Sequence, residues 1–145
     1  MTVPNPLTLR ALRLIGGEWR GIGRTVPVRI NRIVAEPWNS DRLQRARQLL
    51  AEGRKPPPVH LVSWRLGNIR IYEPSDGIHR VSAAREAGRS HIAARLSGEH
   101  VCDPARCLIR GRNFYVLKPD GYACDWENGV DEALLAELRR LGVPG

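Results

Sequence analysis

Lysine is almost missing from this chain: only Lys55 and Lys118 occur, so arginine carries nearly all of a net charge of +8. A guanidinium is a planar fork of donors suited to phosphate oxygens, which points toward nucleotides or nucleic acid. A GC-rich coding sequence would enrich arginine without that demand, and the basic residues are spread along the chain rather than clustered. Cysteine is scarce and odd in number (Cys102, Cys107, Cys124), which argues against a disulfide framework and for reduced thiols. No apolar run approaches the ~18 residues of a membrane span. Arg10 and Arg13 interrupt the only leucine-rich stretch near the start, unlike a secretory signal, so no membrane partner and a cytoplasmic location are expected. Internal repeats, a P-loop, a zinc-protease helix and a nucleophile elbow are all absent. The Gly21-x-Gly23 pair lacks the strand and third glycine of a Rossmann turn.

What is there is a 145-residue chain with 42% hydrophobic residues, enough for one ordinary domain with a sizeable core. Leu9, Leu12 and Ile15 share one face of a short helix that Thr8 could cap and Gly16-Gly17 ends. Trp19 to Arg24 reads as an irregular arm. Val26, Val28 and Ile30 alternate as a half-buried strand. Ser40 is placed as an N-cap, followed by Leu43, Ala46, Leu49 and Leu50 at helical spacing up to Gly53. A stiff Pro56-Pro57-Pro58 entry leads into a strand from Val59 to Trp64. Gly67-Asn68 turns it into a hairpin partner, Ile69 to Tyr72. Ser75-Asp76-Gly77 opens a second helix, with Ile78, Val81 and Ala84 on one face and Gly88 at its end. His91 to Leu96 reads as a further strand.

The order strand, helix, strand, strand, helix, strand predicts an α/β fold: a small mixed sheet with crossover helices. Cys107–Arg110 and Phe114–Leu117 are expected to pair around Gly111-Arg112, and 122–129 to form a loop. The last helix runs from Asp131 and Glu132 through Leu134, Leu135, Leu138 and Leu141 to Gly142. Three regions follow: an arm at 1–25, a core at 26–97, and a C-terminal extension at 98–145 packed on the core and ending in that helix.

A strand passing through Asp-Gly directly into a helix is a natural anion site. The first helical N–H groups lack intrahelical partners and the dipole adds partial positive charge. Gly77 permits a sharp turn and close approach of a ligand. His79 and Arg80 could add side-chain donors, and Asp76 could hold a metal ion or orient His79. The plainer alternative makes Asp76 a helix cap and Arg80 a solvated surface residue.

From Val26 to Leu96, roughly half of the chain, the sequence resembles the ParB/sulfiredoxin superfamily. The likeness lies in Val26-Pro27-Val28, the helix from Ser40, Pro57-Pro58-Val59, and Ser75-Asp76-Gly77-Ile78-His79-Arg80 followed by Ala83-Ala84. It implies that the loop before the first core helix helps to hold a nucleotide, with Arg42 matching a basic residue early in that helix, and that His79 and Arg80 touch phosphate. Sulfiredoxins carry their nucleophilic cysteine where this chain has Ile78, and CTP-hydrolysing partition proteins typically carry a glutamate there. With neither group, Ile78 excludes sulfinic-acid reduction and speaks against CTP hydrolysis.

The Asp-Gly-x-His-Arg pattern is closest to the Asp-Gly-His-His-Arg of the free-serine-kinase branch. That branch implies a catalytic glutamate in the loop after the opening strand, where Glu36 stands as base or as an ordinary loop carboxylate. The expectation is therefore a nucleotide-binding protein using ATP or CTP with Mg2+. Its best specific version is phosphoryl transfer from ATP to a small hydroxylated metabolite. Glu36, Asp76 and His79 would be catalytic, and Ser75, Gly77, Ile78, His79, Arg80 and Arg42 would bind nucleotide. A DNA-binding regulator with nucleotide as a switch, or a module without catalysis, are the alternatives.

Glu73 and Ser75, just before the motif, could line the same pocket. His100, Cys102, Cys107 and Cys124 supply four potential zinc ligands, but not at compact spacing, and three unconnected thiols are the favoured reading. Among four tryptophans, Trp64 is placed in the core, and Trp38 is a candidate for stacking on a base or gating a substrate.

Overall fold

The computed structural model describes residues 5–117 and 123–145, with backbone alone for 123–126. Helix α1, Pro6–Ile15, is capped by Asn5, whose Oδ1 accepts from the Thr8 N–H at 2.8 Å. The cap is therefore Asn5 and not Thr8: Pro6 lacks an N–H to satisfy and its fixed φ suits the first helical position. Strand β1, Gly17–Arg29, includes the whole stretch read as an irregular arm. Its pairing with a later strand overrides the weak local propensity of Trp19 to Arg24. A register shift between Gly21 and Arg24 absorbs the two glycines, Gly23 taking φ +70°.

A 3-10 turn, Ile30–Arg32, leads to α2, Ser40–Ala51. Asn39 rather than Ser40 caps α2, accepting from the Arg42 N–H at 3.0 Å. Strands β2, Val59–Leu66, and β3, Ile69–Asp76, form the expected hairpin around Gly67-Asn68. Helix α3 is Ile78–Glu86. Strand β4, His91–Cys102, runs well past Leu96, where the sequence had ended it, because β1 pairs along its whole length and β2 along most of it.

These strands make one mixed sheet in the order β1-β4-β2-β3, with β2 parallel to β4 and the other pairs antiparallel. The fold is mixed α/β. A second sheet, order β5-β6-β7, comprises β5 (Cys107–Arg110), β6 (Asn113–Leu117) and β7 (Ala123–Glu127). The first two pair as expected, while β7 takes 123–127 of the stretch 122–129 read as a loop, Tyr122 lying outside the described residues. Its short run of mixed polarity gains strand conformation from pairing with β6. Helix α4, Glu132–Arg140, is capped by Asp131. No helix among the described residues is long and apolar enough to cross a membrane.

Each face of the main sheet seats its own core. Val59, Leu61, Ala94 and Leu96 pack with Val81 and Ala84 of α3. On the opposite face Trp64, Ile71 and Cys102 meet Leu12 of α1, Phe114 and Ile109 of the second sheet, and Leu138 of α4. The amino- and carboxy-terminal helices thus share one core. β1 crosses residue 25 and β4 crosses residue 97 without a break.

Candidate functional site

β3 passes into α3 through Gly77, at φ +103°. A Cβ built there would lie 2.5 Å from Cγ1 and 2.8 Å from Cβ of Val59, so the backbone presses on β2 where only glycine fits. No side chain caps α3, whereas Asn5, Asn39 and Asp131 cap α1, α2 and α4. The helix-cap alternative for Asp76 is thereby corrected: its carboxylate meets Nη2 of Arg80 at 3.3 Å. Arg80 also donates through Nη1 to the Pro57 carbonyl, which fixes its guanidinium beside Gly77. It is not a freely solvated side chain.

The start of α2 is tied to the start of α3 by one imidazole. Nε2 of His79 accepts from the backbone N–H of Asn39 at 3.2 Å and of Trp38 at 3.4 Å. With Nε2 accepting, Nδ1 is the ring nitrogen left to donate. The Trp38 ring stands edge-on to His79 at 5.3 Å, and Arg42 lies over Trp38 at 4.9 Å. Arg47 and Glu86 bind α2 to α3 further along, bidentately at 2.7 and 2.8 Å. The Arg47 guanidinium holds the Glu86 carboxyl below its ordinary range, so this tie is complete above that range and is lost only as pH falls through the lowered value.

Between these helix starts lies a cavity of about 370 Å³. Its wall brings together Arg42, Ser75, Asp76, Gly77, Ile78, His79 and Arg80 with Trp38. Arg45 joins them, a residue the sequence offered no reason to choose except that it follows Arg42 by three positions on one helix face. A neighbouring hollow of about 690 Å³, floored by Leu50, Val59 and Ile92, shares Ala46, Leu49 and Arg80 with the first. Two expected residues lie elsewhere. Glu36 is exposed in the loop before Trp38 and is not part of the cavity wall. Glu73 does not line the pocket either: it accepts from the Trp64 indole at 2.8 Å and pairs with Arg13 on α1. Regular alternation would put Glu73 and Ser75 on one face, but the register shift at Pro74–Asp76 against His60–Leu61 interrupts it and leaves Ser75 as the extra residue.

Arg85 was missed altogether. Its guanidinium donates to the carbonyls of Ile30, Ile33 and Ala35, and so holds the segment that leads to Glu36 and Trp38. A sequence shows only a helical arginine near a C-terminus, which reads as dipole compensation.

The zinc set is not assembled from the described residues. The His100 ring stacks on Trp64 at 4.0 Å and meets the edge of Trp19 at 4.8 Å. The Cys102 and Cys107 thiols are buried and donate to the carbonyls of Leu12 and Ile15. Among the described residues no three His, Cys, Asp or Glu side chains come together as a ligand set, and the Cys124 side chain lies outside them. Burial, with Cys107 adding to it, pushes the Cys102 thiol up to about 12, which leaves about one molecule in ten thousand as thiolate at pH 8. Native protein treated with iodoacetamide at pH 8 should therefore leave the peptides of Cys102 and Cys107 unmodified, and full labelling should require denaturant. Rapid native labelling of either would contradict this packing.

No protein-family model matches the chain, and no curated protein matches it. Two solved structures are similar over about half of it. Sulfiredoxin from Arabidopsis thaliana shares 12% identity at a TM-score of 0.42, covering 54% of this chain and 88% of that one. A free serine kinase in complex with AMP shares 15% identity at a TM-score of 0.43, covering 53% of this chain and 32% of the kinase.

Proposed function

We propose that this protein binds a nucleoside triphosphate with its phosphates at the start of α3. One observation carries the reading: the uncapped first amides of α3 open, together with Arg42 and Arg80, into a single cavity of about 370 Å³. The adjoining hollow and the exposed Trp38 ring offer apolar surface for a base. Asp76 is the one carboxylate in the cavity wall. Mg2+ usually keeps several waters and takes one or two carboxylates plus phosphates, so this donor set fits a nucleotide-borne Mg2+.

Within that reading we infer phosphoryl transfer from ATP to a small hydroxylated metabolite. Ile78 leaves the centre of the motif chemically inert, so reactivity must come from the ligand and its surroundings. Glu36, two residues before Trp38, would take the proton of the attacking hydroxyl, and Arg80 would offset charge on the moving phosphoryl group.

Titration calorimetry with ATP, ADP, CTP and GTP plus Mg2+ tests the first step. Wild type should bind at least one triphosphate saturably. Arg42→Ala should weaken it by about tenfold to a hundredfold, the value of one hydrogen bond to a charged group. Saturable binding that survives unchanged in both Arg42→Ala and Arg80→Ala would place the nucleotide elsewhere, and no binding at all would end the reading. For transfer, Glu36→Gln should retain ATP binding and lose ADP formation with a hydroxylated acceptor.

A further inference from the structure

A concentration of unmatched charge lies away from the cavity at α3, on the main sheet. Leu96 and Glu99 face the same side of β4, because β2 shifts register between Leu96 and Gly98 and β1 shifts opposite the same place. Beyond Leu96 the apolar face therefore continues as Glu99 flanked by Arg20 on β1 and Ser63 on β2, with Arg65 and Arg70 at the end of the β2–β3 hairpin.

Glu99 is 1% exposed. It accepts from Ser63 Oγ at 3.2 Å and pairs with Arg70 at 3.2 Å, Arg20 at 3.5 Å and Arg65 at 3.6 Å. One carboxylate thus faces three guanidiniums, an excess of two positive charges. The carboxylate sits beneath them, and the side chains of Arg20, Arg65 and Arg70 remain 61%, 41% and 38% exposed. Nε of Arg70 is closed off from solvent with no acceptor among the described residues. A buried anion of this kind fixes its cations in place without using up their outward donors.

Above this floor opens a basin of about 630 Å³, within the range of small-molecule sites. Arg24, Arg29 and Arg32 line it further and make no ion pair with a described residue. Glu99 is the sole acidic residue in the wall. The rest is partly apolar, with Ile22, Val26 and Leu96.

We propose that this basin is a second ligand site, for a small organic molecule carrying a phosphate monoester. The forks held over Glu99, with the unpaired Arg24, Arg29 and Arg32 beside them, suit a phosphate dianion, which arginine donors bind in parallel pairs. The apolar strip Ile22–Val26–Leu96 takes the organic part. An elongated nucleic-acid strand fits less well: Tyr72 is buried, which leaves the exposed imidazole of His91 as the one ring in the wall, where a strand needs a series of rings for successive bases. The proposal does not rest on the nucleotide reading: the wall of the phosphate cavity has no residue in common with this basin, and the hollow beside it shares His91 alone.

The test is calorimetry with phenyl phosphate and with inorganic phosphate, at constant ionic strength, on four proteins. These are wild type, Arg24→Ala, the double variant Arg20→Ala/Arg24→Ala, and Arg42→Ala from the other cavity. Arg24 is exposed and unpaired, so its removal leaves the fold intact, and thermal melting checks this. Phenyl phosphate should bind wild type more tightly than inorganic phosphate and lose at least tenfold affinity in the double variant with an intermediate loss in Arg24→Ala. The binding lost in the double variant should persist in Arg42→Ala, which removes only a phosphate held at the start of α3. Inorganic phosphate binding as tightly as phenyl phosphate would remove the organic part from the proposal. It is overturned if neither probe binds at up to about 10 mM, if Arg42→Ala and not the double variant abolishes binding, or if a single-stranded oligonucleotide binds through Arg20 and Arg24 and phenyl phosphate cannot displace it.

Discussion

Gly77→Ala is expected to lower the melting temperature by about 10 °C and to abolish triphosphate binding at temperatures where the variant is still folded. Two separate costs fall on the one methyl group. At φ +103° an alanine is held in a left-handed conformation, costing about 1–2 kcal/mol. Its Cβ would also sit 2.5 Å from Cγ1 of Val59, an overpacking of a full β2 side chain worth about 1–3 kcal/mol. The sum, about 2–5 kcal/mol, corresponds to roughly 2–4 °C per kcal/mol at this chain length. The two costs can be separated. Val59→Gly in the Gly77→Ala background removes both close contacts, to Cγ1 and to Cβ, but not the backbone strain, so the double variant should show a coupling of about 1 kcal/mol or more relative to the two single changes. Independent, additive losses would mean that β3 enters α3 by a different route. A melting temperature within 2 °C of wild type would remove the constraint altogether, and with it the reason that the first amides of α3 face an open cavity.

Why Gly77 was readable in the sequence and other positions were not comes down to the range of the forces involved. Asp-Gly between an alternating strand and a helical run is a local signal, and the wall of the cavity at α3 follows from it. Arg42 falls into the same wall because α2 crosses the same end of the sheet. Local signals also gave β2, β3, α3 and α4, where hydrophobic period and turn residues agree. They failed where long-range pairing decides. Trp19 to Arg24 has no strand pattern, with charged and glycine residues throughout, yet β4 provides partners from Cys102 to Leu96 and makes it a strand. Residues 123–127 become β7 for the same reason, on β6. Caps moved by one to three positions because Asn5 and Asn39 stand beside the plausible Thr8 and Ser40, and geometry alone selects between neighbouring hydrogen-bonding side chains.

The charged basin was illegible for a different reason. Glu99, Arg20, Arg65 and Arg70 come from four strands, and the strand phase that unites them depends on a register shift no propensity encodes. The diffuse arginine excess noted in the sequence is in part this cluster, folded together. Glu73 shows the converse: close in sequence to the motif, it belongs to the opposite face with Trp64 and Arg13.

Arg85→Ala is expected to cost about 2–3 kcal/mol, less than the ~4.5 kcal/mol or more of three undiscounted charge-assisted hydrogen bonds, because the arginine itself is exposed to solvent. The carbonyls of Ile30, Ile33 and Ala35 belong to residues that are 2%, 2% and 8% exposed, so water reaches them poorly once the guanidinium is gone. The loss should be local before it is global. Val34 donates its N–H to the Tyr72 carbonyl and Ile30 to that of Ser90, and both amides hang on the segment that Arg85 clamps. Hydrogen exchange should therefore speed up by about tenfold or more at Ile30 and Val34, while amides in β2 and β4 change only by the loss of global stability. Lysine cannot span three diverging carbonyls with one ammonium, so Arg85→Lys should recover less than half of the loss. Because Glu36 and Trp38 lie directly beyond Ala35, the same variant should weaken triphosphate binding without altering any residue in the cavity wall. Unchanged exchange at Val34 in Arg85→Ala would show that the segment is held by its apolar contacts with Tyr72 and α3 instead, and that Arg85 is no more than a helix-end charge.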